Sequence, residues 1–489
     1  MMSAATSIEG AQAVGRNRTG GKSTPASYRI SRTERIAHGK AARSAAPLES
    51  LAGFEPSSTR ADPVSLLESQ AQSRVAELVP IRHGRMLVSP FTYYRGAALP
   101  MAADLGSGPP SGLRVQLCGD AHLSNFGLFA TPERHLVFSV NDFDETFPGP
   151  FEWDVMRLVA SLAVAGRDNG YSTKERRRIA MNAAAEYRTA MRMFAELSML
   201  DVWYAHLDAD EVFSRFSAQM KPQLAKRTQD ALAKARTQDS MRAMGKLTTE
   251  VDGRRRFVTD PPLIVPVEDL FSDRHSEQVY ASMRELVAGY SQTLQADRRH
   301  LLDQFTLTHM ARKVVGVGSV GTRAWILLME PKDGTEPLLL QAKEAQRSVL
   351  ADYTEPAEYA NEADRVVTGQ HLMQAASDIF LGWQTVVGQD GVERAYYVRQ
   401  LKDWKFSAAV ERMLPEGMAG YARICGWTLA RAHARSGDRI AIAAYLGKSD
   451  AFERALADFA EKYADQNERD YAALKDAVGS GRIEAQAGL

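Results

Sequence analysis

Apolar residues along this chain recur at two spacings, and the switch between them divides it into regions. Residues 64–78 carry apolar side chains at helical spacing. Residues 126–130 and 135–140 are short, dense apolar runs separated by Thr131-Pro132-Glu133-Arg134, which predicts strand, turn, strand. Phe151-Glu152-Trp153-Asp154 opens an apolar helix expected to run to about residue 165. Ser172-Thr173-Lys174-Glu175 reads as a capping box starting a helix that continues to about residue 200. Further helical patterns occupy about 209–246 and 275–303. From 306 to 343 the pattern becomes strand-like, with a glycine-rich turn at 316–321 and a hairpin signal at Lys332-Asp333-Gly334. A helix is predicted over 355–376, strands over 378–383 and 395–401, and helices over 421–434 and 448–475. No internal repeat stands out.

At 489 residues the chain exceeds one ordinary core, so two lobes are expected. The predicted boundaries are a disordered basic tail at 1–45, a helical lobe at 60–303, a sheet lobe at 304–403, and helices at 404–489 that return to the helical lobe. The tail holds eight Lys/Arg against Glu9 and Glu34, and small polar residues fill most of the rest. Hydrophobic content of 45% and charged content of 25% are those of a soluble globular protein, and the net charge of +0 gives no nucleic-acid or membrane signal. Cys118 and Cys425 cannot make a disulfide framework; they fit a reducing, cytoplasmic compartment. No apolar run reaches the ~20 residues of a membrane span, and no secretory signal is read.

The candidate chemistry lies at the two ends of the 126–140 hairpin. Asp120, His122 and Asn125 precede it; Asp142, Asp144 and Glu145 follow it. A hairpin brings its ends together, so these carboxylates and the amide should converge. Magnesium takes oxygen ligands of this kind, commonly shared with substrate phosphates. Just upstream, Arg82, Arg85 and Arg95 offer forks of donors suited to phosphate oxygens. Gly316-x-Gly318-x-x-Gly321 is by itself shared by dinucleotide and kinase phosphate loops. Strand-like residues follow it where a dinucleotide site needs a helix, and Thr322 follows Gly321 where a P-loop has Lys.

Gly119-Asp120-x-His122-x-x-Asn125 resembles the catalytic loop of aminoglycoside phosphotransferases and protein kinases, with Cys118 where the phosphotransferases usually carry His. Asp142-Phe143-Asp144 resembles the Asp-Phe-Gly metal motif, with Asp in place of Gly. The longer run also resembles the bacterial DUF2252 family. The resemblance covers about 115–435 and implies an α+β, two-lobed protein-kinase-like fold in circularly permuted order, with a helix-rich C-lobe and a small antiparallel-sheet N-lobe. It implies ATP and Mg2+ as cofactors, with nucleotide and a small-molecule acceptor as partners. Asp120 would orient or deprotonate the acceptor hydroxyl. Asn125 and Asp142 would hold magnesium, with Asp144 assisting. Gly316, Gly318, Gly321 and Lys343 would position the phosphates. Glu362, or second to it Glu358, would pair with Lys343; Gln400 and Leu401, opening the hinge 400–403, would meet adenine. Asp154 would brace the catalytic loop, and His433 and Asp438 would approach it. Two alternatives remain at this stage: a kinase-like nucleotide-binding protein that transfers nothing or transfers AMP, and a non-catalytic helical scaffold. Residues 221–256 carry ten basic against four acidic side chains, which favours an anionic or neutral acceptor over an aminoglycoside.

Overall fold

The helix Phe151–Asp168 runs through the centre of the larger layer, buried along all but its last two residues. Four polar residues lie within its otherwise apolar buried stretch, and each is partnered. Glu152 accepts from the Ser111 amide and hydroxyl. Asp154, Arg157 and Ser161, spaced three and four apart on one stripe, all bond the segment 118–123. Around this helix pack Thr173–Glu196, Pro415–Ser436, Arg439–Leu446 and Ala451–Gly479. Pro415–Ser436 and Thr173–Glu196 approach so closely at Gly426 that a Cβ there would strike the Ala183 carbonyl.

The second layer is a six-stranded antiparallel sheet in the order Gly382–Val387, Glu393–Gln400, Leu338–Glu344, Ala324–Pro331, Phe305–Lys313, Ile264–Pro266. Its central strand is apolar on both faces. Trp325, Leu327 and Met329 join a core with Met283, Leu286 and Tyr290. Ile326 and Leu328 join another with Ala243, Met244 and Phe257. The structure is thus a mixed α+β protein with small antiparallel sheets. In this computed structural model the described residues are 30–488, except 218–221, 238–239, 272, 315, 335, 389, 402–403 and 405.

Three expectations shift. Residues 32–45, assigned to the tail, form the helix Arg32–Ala45, closed by a Ser31/Glu34 capping box. Its small face, Gly39 and Ala42, lies so close to Ala441 that a Cβ on Gly39 would collide; small residues read as disorder are here a packing face. The rest of the predicted tail, 1–29, lies outside the described residues. The boundary at 303 moves as well, because a strand buried on both faces needs cover on both. Residues 243–302 supply it, so they pack with the sheet and not with the helical lobe. The helix expected over 355–376 is Glu362–Met373, started by Asn361, whose side chain accepts from the Ala363 and Asp364 amides. Glu358 therefore precedes the helix. Among the described residues no helix is long and apolar enough to cross a membrane.

Candidate functional site

The hairpin forms as its sequence predicts. Phe126–Ala130 pairs with Leu136–Val140, and Arg134 closes the turn at φ 66°. The Asn141 amide donates to the Asn125 carbonyl at 2.8 Å, so the two polar clusters meet where the strands begin and end. Gly119, at φ +83°, packs so tightly on the Glu145 backbone that any Cβ would strike its carbonyl. Glycine is needed there for conformation and for space.

Segment 118–125 is held from beneath. Asp154, almost wholly buried, accepts from the Cys118 amide at 2.8 Å and the Gly119 amide at 3.1 Å. The His433 Nε2 lies 3.2 Å from the same carboxylate, and Tyr187 meets His433 Nδ1 at 2.8 Å. Asp154 and His433 thus stand where the sequence reading sets them; Asp438 instead caps the helix Arg439–Leu446. Asp120 faces the buried Arg157, whose Nε and Nη2 lie 2.9 and 2.8 Å from Oδ1. Arg157 also stacks 3.9 Å from the Tyr94 ring. Burial pushes the Asp120 carboxyl up, with Arg157 and Arg95 opposing. His122, 3.6 Å from Asp120, is held well below its ordinary value by burial and by the nearby Arg95 and Arg157.

Asn125 donates Nδ2–H to the Asp120 carbonyl at 2.9 Å, and no described hydrogen bond engages its Oδ1. Asp142 accepts from the Asp144 amide at 3.2 Å. Burial and the neighbouring Asp144 raise its carboxyl. Asp144 accepts from Lys343 and Ser319 on Oδ2 and from Tyr397, 2.7 Å away, on Oδ1. Burial pushes the Asp144 carboxyl up, but Lys343 and these hydrogen bonds draw it down to about 2. Asp144 in turn lifts the buried Lys343 above the ordinary lysine range despite burial. Lys343 also donates to Ser319 Oγ at 2.7 Å, which ties the glycine loop to the lysine and to the Asp142-Phe143-Asp144 motif.

A cleft is lined by Asp120, Asn125, Asp142, Asp144 and Glu145 together with Gly316, Gly318, Ser319 and Thr322. Burial lifts the Glu145 carboxyl to about 7, against a hydrogen bond from the Val349 amide. Among the described residues no three His, Cys, Asp or Glu side chains form a metal cage. Magnesium does not need one, since it is usually held by one or two carboxylates plus waters and phosphates. The free Oδ1 of Asn125 and the Asp142 carboxylate are hard oxygen donors that fit it.

Other expected residues sit elsewhere. Lys343 pairs with Asp144, not with Glu362 or Glu358. Glu362, in the first helical turn, is taken by Arg365 at 2.6 Å. Arg365, buried and absent from the sequence reading, also donates to the carbonyls of Thr146 at 2.6 Å, Asp144 at 3.0 Å and Gln346 at 2.8 Å. It therefore braces the Asp142-Phe143-Asp144 segment against the end of the lysine strand. The amides assigned to adenine are already bonded: Gln400 donates to Asp378 at 2.5 Å and Leu401 to the Leu339 carbonyl at 2.9 Å. Leu401 is buried in the sheet core, and Lys402 and Asp403 lie outside the described residues. Gly321, at φ +90°, ends the glycine loop against Arg74 and is not part of the cleft lining. Val315, within the glycine segment, is likewise outside the described residues. Ser319, Tyr397 and Arg157 are site residues that sequence reasoning missed; only Ser319, inside the glycine turn, carried a local signal.

The arrangement defines a class: an acid-and-amide cleft closed by a glycine loop and backed by a buried Lys–Asp pair. Residues 74–477 match the model of a family described as an uncharacterized protein conserved in bacteria, DUF2252, and the chain belongs to that family. Neither the curated proteins nor the solved structures contain a match to the chain.

Proposed function

We propose that the protein is an ATP- and magnesium-dependent phosphotransferase of kinase-like fold in circularly permuted order, acting on a small-molecule acceptor. One observation carries this reading. Asp120 and Asn125, Asp142 and Asp144, the glycine loop and Lys343 meet in one place, although about 200 residues separate the acids from the lysine. The sheet supports it as well. The glycine loop joins Phe305–Lys313 to Ala324–Pro331, Lys343 lies on the next strand, and a helix then leads to two more strands. The chain then pairs Phe406–Ser407 with the hairpin and enters Pro415–Ser436, whose His433 reaches Asp154. In this reading that helix takes the part of the one that leads into the catalytic loop of a kinase-like chain.

In this reading Asn125 and Asp142 hold the magnesium ion, which neutralises phosphate oxygens. Lys343, fixed by Asp144, sets the positive charge at the back of the cleft, and the glycine loop lets backbone amides approach the phosphates. Asp120 orients the acceptor hydroxyl. Catalysis is then positioning plus charge stabilisation.

One observation favours a second reading, nucleotide binding without phosphoryl transfer or with AMP transfer. Arg157 grips Asp120 with two nitrogens, which occupies an oxygen that a general base would use. Incubation of the purified chain and Mg2+ with α- and with γ-labelled ATP, over a panel of neutral and anionic metabolites, separates the readings. Transfer of γ-label supports the first and transfer of α-label the second. ATP that is neither bound nor turned over rejects both and leaves the scaffold.

A further inference from the structure

Three arginines lining this cleft have no carboxylate partner among the described residues. Arg431, Arg435 and Arg439 are also buried without one, but they lie outside the cleft. Other arginines packed into the fold are paired with acids. Arg60 is shared by Asp104 and Asp470, Arg157 by Asp120, and Arg365 by Glu362. Arg74, Arg82 and Arg95 have no carboxylate within ion-pair distance among the described residues. Arg82 is fully buried, with a relative exposure of 0%. It donates one nitrogen to Gln70 at 2.6 Å and to the Gly96 carbonyl at 2.8 Å. Its Nε and Nη1 meet no partner. Arg74, 8% exposed, gives Nη1 to the Val320 carbonyl and leaves Nε unmatched. Arg95 makes no hydrogen bond among the described residues, and its buried Nε is also unmatched.

Burying a guanidinium without a counter-charge is costly, so the three are unlike structural ion pairs. Burial lowers all three below the ordinary arginine value, Arg74 to about 10, and Arg74 further depresses Arg82. The glycine loop is fitted to them. A Cβ on Gly321 would come within 3.0 Å of the Arg74 side chain, and one on Gly318 within 3.3 Å of the Arg95 carbonyl. All three arginines line the cleft that holds Asp120, Asn125 and Asp142.

We propose that Arg74, Arg82 and Arg95 form a subsite for a phosphate group. That group is either the terminal phosphate of the nucleotide or a phosphate carried by the acceptor. Guanidinium forks match tetrahedral oxyanions, and the unmatched nitrogens are the donors such a group would take. The subsite's place in the reaction rests on the function proposed above, whereas its oxyanion chemistry does not.

The test uses the full chain and inorganic phosphate, followed by calorimetry and thermal melting, with Arg95→Met and Arg74→Met. Arg82 is left intact because it also ties the Gly96 carbonyl. Saturable phosphate binding that weakens about tenfold or more in each variant supports the subsite. Folding is controlled by melting temperature, which should stay level or rise in Arg95→Met, since an uncompensated buried charge is removed. Phosphate binding is then repeated with magnesium and a non-hydrolysable ATP analogue, or with magnesium and ADP. Phosphate that still binds beside the analogue assigns the group to the acceptor. Phosphate excluded by the analogue but not by ADP assigns it to the nucleotide. No saturable binding, or equal binding to wild type and both variants, overturns the subsite. Nucleotide binding that survives this result leaves the proposed function standing. Arginine-dependent phosphate binding without any nucleotide binding rejects the function and keeps the subsite.

Discussion

Replacing Asp154 by Asn changes one oxygen to an amide nitrogen and removes one charge at a nearly fully buried position. The carboxylate serves two backbone donors, the amides of Cys118 and Gly119, and faces His433 Nε2. The asparagine oxygen can serve one amide. Its NH2 then opposes the other, a donor facing a donor with no water to relieve it. Leaving one buried donor unmatched costs about 1–3 kcal/mol. Exchanging a charge-assisted bond for a neutral one at the other costs about 1 kcal/mol more. The variant should therefore lose about 2–4 kcal/mol of stability, read as a lower urea midpoint at unchanged slope. Because 118–119 lead directly into Asp120, the loop should also loosen, seen as faster amide hydrogen exchange at 118–125. Ser161→Ala, which removes the acceptor of the Leu123 amide and a donor to the Leu158 carbonyl, gives the scale for losing neutral bonds at the same segment. A loss under about 1 kcal/mol in Asp154→Asn, with exchange at 118–125 unchanged, would refute the bracing argument.

Other expectations follow from the same geometry. Gly119→Ala should fold poorly or melt much lower, since the new methyl strikes the Glu145 carbonyl at a left-handed φ; wild-type melting would remove that strain argument. Asp120→Ala should retain ATP binding and lose about two to four orders of magnitude in transfer rate, the range for a positioned base; equal loss of binding and rate would mark a structural role. Lys343→Met leaves the partly buried Asp144 without its cation, so the variant should be less stable and Lys343→Met/Asp144→Asn should recover part of that loss; no recovery in a double-mutant cycle would contradict the pair. His83 lies 2.8 Å from the Glu484 carbonyl and is held below the ordinary 6.5 by burial, with Arg82 and Arg74 adding to it. A base depressed in the folded state takes up fewer protons than the unfolded chain, so its contribution is present above pH 6.5 and lost as pH falls below it. The urea midpoint should fall on acidification below pH 6.5, and less steeply in His83→Gln.

How much of this could be read from sequence depended on whether the relation was local. The 126–140 hairpin is legible because the apolar runs, turn residues and register lie within some 15 positions, and its ends gather Asp120, Asn125, Asp142 and Asp144 by connectivity alone. Asp154 was legible through the resemblance, which places a bracing acid at the start of the helix after the hairpin. Its stripe-mates Arg157 and Ser161 were not, because periodicity gives a helix face without saying what lies across from it. The partner of Lys343 failed for the same reason. Glu362 and Glu358 were the acids read for it and Asp144 was set aside for the metal; in the structure Arg365 claims Glu362, while Tyr397 and Ser319 orient Asp144 toward the lysine. The division at 303 followed a change of periodicity. What moved it was the apolarity of both faces of Ala324–Pro331, which recruits cover from residues 243–302. Arg32–Ala45 was hidden by its small residues, whose value lies in the close approach to Ala441.

The most direct measurement of the central claim is calorimetric titration of ATP into wild type and Asp142→Asn, with and without Mg2+. Asp142 lines the cleft and has only a weak internal bond, so its replacement should leave the circular dichroism spectrum unchanged. The account expects saturable binding to wild type that requires magnesium, weakened at least about tenfold in the variant by loss of the metal-bound carboxylate. Absence of saturable ATP binding to wild type, or binding that is equal in the variant and indifferent to magnesium, would contradict it.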